Sequence, residues 1–344
     1  MPNMRRREFV SLFGGAAAAW PLAAWAQATK HYRIGMLETT SPTANAANLN
    51  AFRQRLQELG YVEGRNLVID YRSAEGRPDR FPVLAAELVN LKADLIMTRG
   101  TPAALAAKSA TRTIPVVMAA IGEAVETGVV ASIAHPGGNI TGLSSVIADV
   151  VSKRLELLSE MVQNVRRIGR LSESNNPVSR LEWDNIQKAA RSLRIEAYQL
   201  DVRRAEDFGR AFELAVSQRA DALIVGIDDI VQANMPIVIE LTARHRLPAI
   251  YSSREYVEAG GLMSFGVNYP DLYRRVAVYV DRIFKGTKPS DLPIEQPTKV
   301  EFVINHKTAK ALGLDVPPTT RPRRRGHRVR RREFIALVGS VATA

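Results

Sequence analysis

Ala93-Asp94-Leu95-Ile96-Met97-Thr98-Arg99-Gly100-Thr101-Pro102-Ala103-Ala104 holds the fold in miniature. An unbroken apolar run gives way to a small, hydroxyl-rich loop. Pro102 then opens an alanine-rich stretch, at the early helical position that proline tolerates. The reading is strand, loop, helix. The same unit recurs on both sides. Upstream, Tyr32-Arg33-Ile34-Gly35-Met36-Leu37 reads as a buried strand. Residues 45–60 read as a helix, with Leu49, Phe52, Leu56 and Leu59 spaced by three and four and a stop at Gly60. Leu67 to Tyr71 is a strand, and 78–92 a helix opened by Pro78-Asp79. Downstream come a strand at 114–120, a helix at 124–134 and a short strand at 140–143.

After a long helix near 150–162 the pattern restarts. Strands at 167–171, 196–202, 221–227, 248–251 and 262–265 alternate with helices at 179–194, 205–218 and 230–246. A helix at 270–285 and a strand-helix unit at 299–312 finish the chain's ordered part. Near-continuous apolar strands joined by helices imply parallel sheets covered on both faces. The expected class is α/β, with two doubly wound parallel-sheet lobes. Residues 270–312 are too few for a third domain, so they return to complete the lobes. The first lobe is expected to comprise 31–148 plus about 268–290, and the second 149–267 plus about 291–316, joined by a hinge of several segments.

The chain has 344 residues, which suggests about two domains. With 46% hydrophobic and 24% charged residues it is not disordered, collagen-like or a multi-span membrane protein. It has no cysteine, which removes disulfides, thiolate metal sites, a cysteine nucleophile and a lipidated cysteine anchor. The net charge of +12 is concentrated at the ends. Arg5, Arg6 and Arg7 against Glu8 give +2 in residues 1–26, and eight arginines against Glu333 give +7 in residues 319–344. The body keeps only +3, so no phosphate-binding surface and no nucleic-acid partner are expected.

Residues 1–26 read as an export signal. A basic start runs into the apolar stretch Val10 to Ala24, and Ala24-Trp25-Ala26 marks a cut near Ala26. Arg6-Arg7 followed by Phe9-Val10 resembles a twin-arginine signal, with general secretion as the other route. A membrane anchor or buried helix is the competing reading, against which Gly14, Gly15 and Pro21 interrupt the run. Arg330-Arg331-Arg332-Glu333-Phe334-Ile335 repeats Arg5-Arg6-Arg7-Glu8-Phe9-Val10. Either the reading frame runs into a neighbour's signal sequence, or 319–344 is a basic disordered tail.

Local catalytic motifs are absent: no G-x-S-x-G, no phosphate-binding G-x-x-x-x-G-K-[ST] and no G-x-G-x-x-G. The five histidines have no metal-ligand spacing, so neither a metal nor a cofactor is expected, and no enzyme is read. What remains are loops after strands, where doubly wound sheets bind ligands. Thr39 follows the first strand. The N–H groups behind Gly100 and the Thr101 hydroxyl could hold a carboxylate, or Thr101 could simply cap its own helix. Ser144 and Ser145 end the first lobe's last strand. Asn175, in Ser172-Glu173-Ser174-Asn175-Asn176-Pro177, offers hydrogen bonds or a turn. Asp228 and Asp229 could pair with a ligand ammonium group or cap the next helix. Tyr251, Tyr269 and Arg254 offer a stacking face or an anion contact, or pack in the core.

These stretches together resemble the ABC transporter substrate-binding protein family, whose better-known members resemble tryptophan- or tyrosine-binding proteins of Gram-positive bacteria. The resemblance rests on Arg33 to Leu37, Phe52 to Leu56, Leu59 to Leu67, Gly100 to Ala104, Thr113 to Val117, Pro136 to Gly142, Gly260 to Gly266 and Thr308 to Leu314. It spans roughly residues 31–318. It implies a type I periplasmic-binding fold with three crossing segments and a cleft that closes on a small molecule. Thr101 and its helix N-terminus then resemble the family's carboxylate-binding loop, and Asp229 an amino-group partner. The implied role is the periplasmic binding component of an ABC importer. It would act as a monomer on a small-molecule solute and be recognised when closed by a permease in the inner membrane. The alternative is a sensor that presents its closed form to a membrane receptor.

Overall fold

The computed structural model describes residues 30–145, 147–296 and 300–317. The expected export signal, its cut near Ala26 and the arginine-rich tail at 319–344 lie outside the described residues. Among the described residues no helix is long and apolar enough to cross a membrane.

The first lobe runs β1 (Tyr32–Glu38), α1 (Ala46–Glu58), β2 (Leu67–Ser73), α2 (Phe81–Asn90), β3 (Leu95–Arg99), α3 (Thr101–Ala110), β4 (Val116–Gly122) and β5 (Ile140–Ser145). Its sheet is wholly parallel, in the order β2-β1-β3-β4-β5. The second lobe begins with α4 (Ile147–Met161), β6 (Arg167–Ser172), α5 (Pro177–Ser192), β7 (Glu196–Asp201), α6 (Asp207–Ser217) and β8 (Ala222–Val225). It continues with α7 (Asp229–Ala233), α8 (Met235–Arg244), β9 (Ala249–Tyr251), α9 (Arg254–Glu258) and β10 (Met263–Val267). The chain then forms α10 (Tyr269–Phe284), β11 (Val300–Ile304) and α11 (His306–Leu312). The second sheet is ordered β11-β10-β9-β8-β6-β7.

Both faces of each sheet are covered, which is why the strands read as apolar runs. On one face of the first sheet, Leu49, Phe52 and Leu56 of α1 pack with Leu272, Tyr273, Val276 and Val280 of α10. On the other, Leu84 and Leu88 of α2 meet Ala103, Ala104 and Ala107 of α3. Gly35 permits that second contact, since a Cβ there would sit 2.9 Å from a Leu88 methyl. The second sheet is flanked likewise, by α4 and α5 on one side and α6 and α8 on the other.

Helix starts follow local chemistry. Asn176, Asn268 and Asn305 each accept a backbone N–H as the N-cap of α5, α10 and α11. A left-handed Gly313 ends α11. The chain crosses between lobes three times: between Ser145 and Ile147, between Val267 and Tyr269, and between Glu295 and Val300. Before the third crossing, Glu295 bridges Leu143 at the free edge of β5.

Three expectations are corrected. Residues 124–134 form turns, not a helix. Glu123 and Gly128 take positive φ, and the Val129 and Val130 N–H groups both return to the Ala124 carbonyl. The helix expected at 230–246 breaks at Asn234, because Pro236 has no N–H to continue the ladder from α7. The sheets are not all parallel, since β11 pairs antiparallel with β10 as an edge strand.

Candidate functional site

In each sheet the strand order reverses once, and loops diverge at that point to leave a crevice beyond the carboxyl ends of the strands. In the first lobe the reversal lies between β1 and β3, in the second between β6 and β8. The two crevices face each other. The Thr39 hydroxyl, after β1, donates to Asp229 Oδ1 at 2.6 Å, after β8. Arg99, closing β3, donates from Nη2 to Gln232 Oε1 of α7 at 2.6 Å. These bonds hold the lobes shut. The space left between them is about 40 Å³, lined by Arg99, Gly100, Thr101, Asn176, Asp229 and Tyr269 among others. Small-molecule sites are usually about 300–1,000 Å³. The closed space is too small for a molecule of that kind. A larger groove of about 570 Å³ opens outward from Pro102 past Pro78, Leu105 and Asn175.

Several polar groups in and around this space have no hydrogen-bond partner. Thr101 Oγ1, Arg99 Nε and Asp229 Oδ2 are buried and unsatisfied among the described residues. Buried orphans of this kind are costly and mark places where a ligand can supply the missing bond. Thr101 does not cap its helix: Gly100 is the N-cap, with no side-chain cap bond. Gly100 has φ +83°, and a Cβ there would lie 2.8 Å from Asp229 Oδ1, so a side chain would wedge the lobes apart.

The carboxylates are strongly perturbed. Burial pushes Asp229 up to about 7, against the pull of the Thr39 hydroxyl and with a further push from Asp228. Burial likewise takes Glu38 to about 7, opposed by the Arg99 charge and by the Tyr273 hydroxyl, which donates to both its oxygens. Glu173 reaches about 7 through burial and the charges of Asp228 and Asp229. Asp228 reaches about 6 through burial, with Arg170 pulling it down.

The sequence candidates divide. Thr39, Gly100, Thr101 and Asp229 meet at the junction of the lobes, together with Tyr269. Asn175 lies on the outer groove, while its neighbour Asn176 lines the inner cavity. Asp228 turns back into its own lobe, where it accepts from Ser179 and faces Arg170. Ser144 is a brace: its hydroxyl accepts the Ala124 N–H and holds the loop after β4. The side chain of Ser145 lies outside the described residues. Tyr251 is a core residue, stacked on Tyr256 at 4.8 Å with its hydroxyl on Thr242. As the last residue of β9 it follows the strand's alternation to the face beneath α8, not out past the strand end. Arg254 pairs with Glu301 away from the cavity.

Sequence reasoning missed Arg99, Gln232 and the group of Glu38, Asn45 and Tyr273. The available signal was a charged residue at the end of each buried strand, Glu38 on β1 and Arg99 on β3. Among the described residues no group of three or more His, Cys, Asp or Glu side chains could hold a metal ion.

A tyrosine-binding protein of Clostridioides difficile (strain R20291) is 28% identical over 285 residues, 83% of this chain and 82% of that one. A Streptococcus pneumonia ABC domain in complex with L-Trp superposes with a TM-score of 0.78 at 27% identity, covering 85% of this chain and 97% of that one. The ligand-free, open structure of a Clostridium difficile substrate binding protein with adhesive properties is also 27% identical, covering 83% and 96%. Its TM-score is only 0.60. At equal identity, the chain superposes better on the L-Trp complex than on the open structure. A family model described as ABC transporter substrate binding protein matches residues 33–320. With its paired switch-point crevices and its type I periplasmic-binding fold, the chain belongs to the ABC transporter substrate binding protein family.

Proposed function

We propose that this protein is the periplasmic solute-binding component of an ABC importer, exported by its N-terminal signal and acting as a monomer. It binds one small polar organic solute between its lobes without transforming it. The solute bridges both crevices and is bound better by the closed state, so it shifts the hinge equilibrium toward the form an inner-membrane permease recognises. The observation that carries this reading is the junction at Thr39 and Asp229. There, two switch-point loops from different lobes meet around buried, unsatisfied polar groups. Thr39, Gly100, Thr101, Asn176 and Asp229 are the residues assigned to the solute. Asp229 takes an ammonium or other donor group, and Thr101 with the first turn of α3 takes an acceptor.

The test is a melting screen of the purified protein against amino acids, aromatic acids and nucleobases, with L-tyrosine and L-tryptophan first because the relatives bind them. A solute at 100 times its dissociation constant is expected to stabilise by about 2.7 kcal/mol and raise the melting temperature. A folded protein that responds to no member of the set would contradict the reading.

A further inference from the structure

Arg99 is 8% exposed and sits between the lobes. Its Nη1 donates to Asn45 Oδ1 at 3.1 Å, its Nη2 to Gln232 Oε1 at 2.6 Å, and the Tyr269 ring lies 4.4 Å from the guanidinium carbon. All three partners are neutral. Nε has no partner, and among the described residues no carboxylate lies within 4 Å. The other buried arginines are matched differently: Arg170 lies 2.6 Å and Arg154 3.7 Å from Glu182. Three acidic groups face Arg99: Glu255 acts on it without contact, and the other two are already engaged. Both oxygens of Glu38 accept from Tyr273, and Oδ1 of Asp229 accepts from Thr39. Its charge is offset from a distance, but no carboxylate touches it, so a contacting counter-ion can still be supplied.

We propose that Arg99 is the residue that recognises the solute's anionic group, and that this group is a carboxylate displacing the Gln232 amide oxygen from the guanidinium. The assignment rests on the solute-binding reading above. Nε and Nη2 share one edge of the planar guanidinium, the edge a carboxylate grips with two parallel bonds. One donor on that edge is unused, and the other is held by a neutral amide, a weaker acceptor than an ionised carboxylate. Gln232 is not stranded by the exchange, because its Nε2 stays on the Ile227 carbonyl. Tyr269 keeps the fork flat and in place from below. A single cation opposite Asp229 suits a monoanion. Both an amino acid and a simple organic acid meet that description.

The test uses two sets of three probes. The first is L-tryptophan, indole-3-propionate and tryptamine; the second is L-tyrosine, 3-(4-hydroxyphenyl)propionate and tyramine. With Arg99 on the carboxylate and Asp229 on the ammonium, the parent is expected to bind each amino acid tighter than either the acid or the amine of its set. Arg99→Met is expected to lose about 30-fold or more for each carboxylate probe and markedly less for the amines. Arg99→Lys should recover only part of the loss, since an ammonium cannot form the paired bonds. Equal affinity of Arg99→Met for the acids would overturn the assignment and leave solute binding in place. So would a parent that binds tryptamine as tightly as L-tryptophan and tyramine as tightly as L-tyrosine, a comparison that needs no variant. A folded parent that binds none of the six probes and no member of the melting screen would overturn the solute reading, and the Arg99 assignment with it.

Discussion

Glu182→Ala is expected to lower the stability of the second lobe by about 3–5 kcal/mol. Glu182 is 2% exposed, and it is the carboxylate shared by two buried arginines. Arg170 rises from β6 and contacts it at 2.6 Å, while Arg154 comes from α4 and also donates to the Phe265 carbonyl. Alanine would leave both guanidinium groups buried without their counter-ion, and the remaining nearby carboxylate, Asp228, is bound by Ser179. That penalty exceeds what the pair itself contributes, because most of it is the cost of stranding charge. Calorimetry should show the loss in the transition of the lobe holding β6 to β11, with the first lobe's transition unmoved. Glu182→Gln should lose less, since an amide oxygen still accepts. A Glu182→Ala protein as stable as the parent would mean that the trio is solvated in solution.

The consequence reaches the cleft. Arg170 and Ser179 hold Asp228, and Asp228 is the N-cap residue of α7, directly before Asp229. The trio therefore positions the loop that meets the first lobe.

Asp229→Asn is expected to weaken binding of an ammonium-bearing solute about 30-fold or more. It is also expected to change how closure depends on pH. In the closed form Asp229 is raised from its ordinary value near 3.8 to about 7. A carboxyl raised on closing binds more protons in the closed state, so acid favours closure of the empty protein. The contribution is complete below the ordinary carboxyl value, and it is lost as pH rises from about 4 through about 7. A solute ammonium replaces the proton, so to the extent that the empty protein is closed its affinity for such a solute should rise over the same interval. Asparagine cannot titrate, and the part of the slope owed to Asp229 should vanish in the variant. Titrating affinity between pH 5 and pH 8 by calorimetry, for parent and variant, checks both signs. An affinity that falls as pH rises would contradict the role given to Asp229.

Much of the architecture was legible because strands buried on two faces have no polar side to show. Ile34, Met36 and Leu37, or Leu223, Ile224 and Val225, could only be interior strands. The spacing of Leu49, Phe52 and Leu56 could only be one helix face. Legibility failed where geometry overrode composition. Residues 124–134 have helix-like spacing, but a positive φ at Glu123 and a brace from Ser144 fold them into turns. At the site, loops could be found but not the direction of each side chain. Tyr251 ends one buried strand and Asp229 follows another, yet one points into the core and the other across the cleft. Asn175 and Asn176 differ by one position and face different spaces. Arg99 stood in the stretch that revealed the fold and still passed unnoticed. Its partners Asn45, Gln232 and Tyr269 come from α7 and from two other loops or helix starts, and only tertiary structure makes them neighbours.

The central claim is that a solute closes two lobes around itself. Asp79 and Arg203 are exposed and lie beyond the carboxyl ends of β2 and β7, on the cleft side of different lobes. The chain has no cysteine, so spin labels on an Asp79→Cys, Arg203→Cys protein report this pair alone. Their distance, measured by double electron–electron resonance with and without the solute found in the melting screen, is the most direct test. The account predicts a long, broad distribution for the empty protein that collapses to one short distance at saturation. Identical distributions with and without bound solute would contradict it.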